Sequence, residues 1–104
     1  MKNVIILITA LLLSVVIATD MGYTAEEEAV TIKSLGKIGT IEVIGSLKLL
    51  YASENDVGNR ISIITALERN PNKVESIKAL KELQDVQATP LVSSILKKRL
   101  SKLE

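Results

Sequence analysis

Aliphatic residues recur along this chain with the spacing of one-sided helices, about 3.6 residues per turn. The stripes they form stop and restart at a fixed interval. Leu35 and Leu67, thirty-two positions apart, each close a stripe, and Thr24 and Asp56, which open those stripes, have the same separation. Thr89 opens a third stripe thirty-three residues after Asp56, with Leu100 at the matching distance. A period in the low thirties, one helical hairpin per unit, is the mark of an α-solenoid.

The pattern predicts five helices. Thr24-Ala25-Glu26-Glu27 reads as a capping box, and Glu26 to Glu28 suit the positive end of a helix dipole. Ala25, Ala29, Ile32, Leu35 and Gly36 share the inward side of this first helix, and Gly36 and Gly39 let the chain leave it. The second helix runs from Ile41 to Tyr51 behind Thr40, burying Val43, Ile44, Leu47, Leu50 and Tyr51. Polar Ser53–Asp56 links it to the third, Val57 to Arg69, which buries Val57, Ile61, Ile64 and Leu67. Asn70-Pro71 has the form of a cap and a first-turn proline. The fourth helix is therefore expected from Pro71 to Gln84, burying Val74, Ile77, Leu80 and Leu83. Thr89-Pro90 repeats the device for the fifth, whose stripe is Val92, Ile95, Leu96, Leu100 and Leu103. That last stripe is rotated by about a third of a turn, as in the atypical end units of repeat arrays. A plain five-helix bundle would give much the same pattern.

Before the repeats, Lys2 precedes an apolar run, Val4–Ala18, broken only by Thr9 and Ser14. The run is shorter than the roughly 20 residues that span a bilayer, and small residues end it, as in a secretory signal peptide cut after Ala18. An uncleaved helical anchor is the alternative. Residues 1–18 are thus the leader, 19–23 a linker and 24–104 one helical domain. Localisation outside the cytoplasm, periplasmic or secreted, is expected, with a membrane tether if the leader stays.

Charge and composition narrow the function. Thirteen basic and twelve acidic side chains become balanced once Lys2 leaves with the leader. Neutrality, with no Phe or Trp and only two tyrosines, argues against nucleic acid as a partner. Without cysteine there are no disulfides, so aliphatic packing alone must hold a small domain together. The lack of both His and Cys removes the commonest general base, the soft metal ligands and the usual nucleophile pairs. No Gly-rich phosphate loop lies between a strand and a helix. No catalysis, cofactor or metal is expected.

Asp56, Arg60, Ala66 and Leu67 fall where the first helix of a HEAT repeat carries Asp, Arg and an Ala-Leu pair. Leu35-Gly36-Lys37-Ile38-Gly39 matches the ending of that helix. The chain over about residues 24–83 resembles the HEAT family, in particular the short repeats of phycobilisome lyase-like proteins. It departs from them at Asn59, where valine is usual, and at Thr24 and Glu28, which replace Asp and Arg. The resemblance implies an all-α fold: a short right-handed stack of antiparallel helix pairs, two repeats plus a C-terminal capping helix, used to bind other proteins.

The surface allows two readings. Glu28 and Arg60 occupy equivalent places in consecutive units and are candidates for a bridging ion pair. The even-numbered helices, which line the concave face of HEAT-like stacks, present Glu42, Gly45, Ser46 and Leu49, then Glu75, Lys78, Ala79 and Glu82. Small residues beside Leu49 suit a shallow groove for a peptide or helix. The expected function is an exported protein–protein interaction module, with self-association between the acidic first helix and the basic last one as a further option. The rival is a membrane-anchored protein whose Lys97–Lys102 region touches anionic lipid.

Overall fold

The computed structural model describes residues 24–104, so the leader and linker expected at 1–23 lie outside the described residues. Five helices account for most of this stretch: α1 (Ala25–Gly36), α2 (Ile41–Ser53), α3 (Val57–Arg69), α4 (Lys73–Leu83) and α5 (Pro90–Leu103). There is no strand among the described residues, and the protein is all-α there. No helix among them is long and apolar enough to cross a membrane.

The odd-numbered helices begin with side-chain caps, which satisfy amides that have no partner inside the helix. The hydroxyl of Thr24 accepts from the Glu27 N–H at 3.2 Å and donates to the Glu27 carboxylate at 3.2 Å. Asp56 accepts from the Asn59 N–H at 2.9 Å, and Thr89 from the Val92 N–H at 3.3 Å. The even-numbered helices start differently. Neither Thr40 nor Asn72 caps through its side chain.

Helices α1, α3 and α5 lie side by side in one layer, and α2 and α4 form the other. Each helix also packs on its neighbours in sequence, while α1 packs on neither α4 nor α5. The smallest dimension, 19 Å, leaves room for two helical layers and no third. Contacts within a layer join like to like. Asn59, early in α3, donates to the Ala25 carbonyl at the start of α1, and Ala66, late in α3, faces Gly36 at the end of α1. Arg99 of α5 reaches Thr65 of α3, and Lys48 of α2 reaches Glu82 of α4, each across thirty-four positions. Adjacent helices of a layer therefore run parallel and in register.

The apolar side chains of the core are aliphatic except for the Tyr51 ring, and the Ser76 side chain is closed to solvent as well. Leu35, Leu47, Ile63, Ile64, Leu67, Leu80 and Val92 are closed to solvent. Removing a side chain of this size from water stabilises by roughly 1.5–3 kcal/mol, and no disulfide is available to a chain without cysteine.

Several details differ from the pattern. Ala25 is exposed, and Ala29 and Gly36 are half-buried at the edge of the α1–α3 contact. In α3, Val57 and Ile61 are half-buried, whereas Asn59, Ile63 and Ala66 are covered as well as Ile64 and Leu67. The reason is position: α3 touches all four other helices, so its inward side is wider than one stripe. Helix α4 begins at Lys73 rather than Pro71, and Val74 is 77% exposed. Asn70 is taken up by the preceding turn instead of capping α4. Its amide donates to the Thr40 carbonyl at 3.0 Å, while its carbonyl oxygen accepts from the Asn72 N–H and side-chain amide, both at 2.9 Å. Asn72 also donates to the Gly39 carbonyl at 3.2 Å. Two asparagines thus tie the α3–α4 turn to the α1–α2 turn.

Candidate functional site

The outward side of α2 carries Ile41, Gly45 and Leu49 at intervals of four residues, which brings them to one face. Across from it, α4 shows Val74, Lys78 and Glu82 at the same intervals, each thirty-three positions later. The register of the layer sets these six residues out as two matching rows. Lys48 spans the rows, its ammonium 2.6 Å from the Glu82 carboxylate. That hydrogen bond holds the Glu82 carboxyl below its usual range, against slight desolvation and with help from the Lys48 and Lys78 charges.

A shallow groove of about 440 Å³ runs along this face, lined by Gly45, Lys48, Leu49, Glu82, Leu83 and Val86. Leu49 is 61% exposed beside it. No atom lies within 4 Å of the place a Gly45 Cβ would occupy, so the glycine leaves a bare step next to the leucine. The face can receive an aliphatic side chain or the backbone of a short segment. Its charges, Lys48 and Lys78 against Glu42, Glu75 and Glu82, are mixed.

Of the residues expected on this surface, Glu42, Leu49, Glu75, Lys78 and Glu82 are open to solvent, and Gly45 is half-buried among them. Ser46 and Ala79 are not available: they are 5% and 1% exposed. The correction has a simple cause. A lone amphipathic helix would turn these small residues outward, but α2 packs on α1, α3 and α4, and α4 on α2, α3 and α5, which covers a further side of each. Ile41 and Val74 join the surface although the stripe pattern does not put them there. Their equal spacing and first-turn positions are the signal that could reveal them.

Arg60 has a different role from the expected bridge to Glu28. Its guanidinium lies 4.6 Å from the centre of the Tyr51 ring and donates to the Glu54 carbonyl at 2.8 Å and the Gln87 carbonyl at 2.7 Å. The buried Glu54 carboxylate in turn accepts from the Asn55 and Asp56 N–H groups at 3.1 and 3.0 Å. Burial pushes the Tyr51 phenol up, and the Arg60 charge opposes it. This cluster fastens the α2–α3 turn to the α4–α5 turn, two corners held by one cation. It serves as a joint, since Arg60 and Glu54 are both engaged by backbone, while the buried Tyr51 hydroxyl has no hydrogen-bond partner among the described residues.

Neither a family model, nor a curated protein, nor a solved structure matches the chain.

Proposed function

We propose that the protein is a non-catalytic adaptor, a short HEAT-like α-solenoid that offers the outer side of α2 and α4 to another protein or peptide outside the cytoplasm. The observation that carries this reading is Leu49, open to solvent beside the bare step at Gly45 in a groove of about 440 Å³. An aliphatic side chain held out by a packed helix costs little ordering on binding and gains by being buried against a partner. The solenoid reading is supported by the in-register contacts thirty to thirty-four residues apart and by the separation of α1 from α5. A stack of this kind presents long faces, which is how repeat proteins bind.

The test is capture of partners from the native extracytoplasmic fraction by the wild-type chain and by Leu49→Asp. The variant should lose the captured species while melting at the wild-type temperature, because Leu49 is largely outside the core. Equal capture by both chains would remove Leu49 from the site.

The anchored alternative draws on Lys97, Lys98 and Lys102, all exposed on α5. The N-terminal residue of the native protein separates the two readings: a soluble chain starting at Thr19 eliminates the anchor.

A further inference from the structure

On another side of the molecule, the contact between α1 and α3 opens into a groove of about 420 Å³. Small residues create it. Gly36 approaches Ala66 so closely that a Cβ at Gly36 would meet the Ala66 Cβ at 3.1 Å, and Ala29, earlier on α1, adds a second short side chain to the lining. The floor is apolar, formed by Ile32, Ile61 and Ala66. The walls are cationic: Lys33 from α1 and Lys37 from its C-cap, four residues apart, and Arg69 from α3. All three are exposed, none of them forms an ion pair among the described residues, and no carboxylate lines the groove.

We infer that the α1–α3 groove docks an acidic amphipathic segment of a partner protein, with an aliphatic side chain on the floor and carboxylates against Lys33, Lys37 and Arg69. Three uncompensated cations around an apolar slot repel one another, and a ligand of opposite sign relieves the field they make. The slot is too small for more than one or two side chains. Its floor is recessed, since Ile32 and Ala66 are nearly closed to solvent. A flat anionic bilayer cannot reach such a floor, whereas a side chain projecting from a helix can. The spacing of Lys33 and Lys37 matches carboxylates one turn apart on a docked helix. Together with the α2–α4 face, this gives the molecule two binding sides of different character, one of mixed charge and one purely basic. The inference does not depend on the reading of Leu49.

The probe is a short fluorescein-labelled helical peptide in which glutamates flank a leucine by one turn on each side, titrated against the full-length chain by anisotropy. A peptide with lysine at the glutamate positions is the control. The acidic peptide should bind, the lysine peptide should not, and the affinity should fall steeply as salt shortens the Debye length from about 30 Å to about 8 Å. Replacing Lys33, Lys37 and Arg69 together by Gln should weaken binding by roughly tenfold or more, since complementary charge dominates recognition here. Ala29→Glu, which puts a carboxylate into the slot and leaves the three cations in place, should weaken it as much. Leu49→Asp should leave it unchanged, so failure here and failure of the α2–α4 site are separate outcomes. Circular dichroism melting of each variant verifies the fold. No binding of the acidic peptide, or binding indifferent to both the triple variant and Ala29→Glu, overturns the inference. So does capture by phosphatidylglycerol vesicles without peptide binding, or a dimer of the wild-type chain that the triple variant abolishes, since a lipid surface or a second copy would then be the occupant.

Discussion

Gly36 and Gly45 are half-buried glycines in successive helices, and their surroundings are opposite. Gly36 faces Ala66 across a tight approach in the α1–α3 contact; Gly45 faces open space. The first glycine is a packing requirement, and the second merely keeps a surface low. The contrast extends to the layers they belong to. The α1–α3–α5 layer closes α1 and α3 together over small residues and leaves cations at the seam. The α2–α4 layer joins its helices by the Lys48–Glu82 ion pair and leaves aliphatic side chains outside. The two layers thus carry outer faces with different chemistry, because the inward positions are fixed by packing and the outward ones are not.

The asparagine tie between the α1–α2 and α3–α4 turns is the strongest place to break this arrangement. Asn70→Ala strips three hydrogen bonds from a buried turn and leaves the Thr40 carbonyl without its donor. It should destabilise by about 2–3 kcal/mol in urea unfolding. A loss no larger than that of an ordinary surface substitution would show that the turns are not coupled. Next in size, Gly36→Leu must push back Ala66 and its backbone, and overpacking of this kind costs about 2 kcal/mol. The same unfolding experiment on Gly45→Ala should show a gain of roughly 0.5–1 kcal/mol, because alanine favours the helix and meets nothing. Equal signs for the two glycines would erase the contrast between the layers.

The smallest effect concerns the ion pair. The Glu82 carboxyl is held below its usual range chiefly by the Lys48 hydrogen bond, so the pair contributes above the ordinary glutamate pKa. That contribution disappears as pH falls through the lowered folded value. Carboxyl carbon chemical shifts followed against pH should place Glu82 low in the wild type and nearer its ordinary value in Lys48→Ala. No difference between the two would mean that the contact is not kept in solution.

Much of the scaffold is legible in the sequence because its determinants are local. Thr24, Asp56 and Thr89 are caps by residue type and by their place just ahead of an aliphatic stripe, and the spacing in α2 marks its buried side correctly. Asn70 misleads because its partner, the Thr40 carbonyl, lies thirty positions away, and a cap-then-proline rule cannot see it. Ser46 and Ala79 mislead for another reason: small residues fit both a surface and a close helix contact, and only the number of neighbouring helices decides. Arg60 turns to carbonyls instead of a carboxylate, since carbonyls in turns carry no sequence signature. Leu49 is legible as an exposed leucine at the right phase. The basic slot is not, because Lys33, Lys37 and Arg69 each look like ordinary cations near a helix C-terminus, and their convergence depends on α1 lying beside α3.

The ties between places thirty to thirty-four residues apart have an evolutionary consequence. A chain fastened at intervals of thirty to thirty-four residues tolerates growth by whole hairpins, which preserve every tie, far better than by a few residues inserted within one. Adding a whole helical hairpin is the gentlest way for such a molecule to become longer.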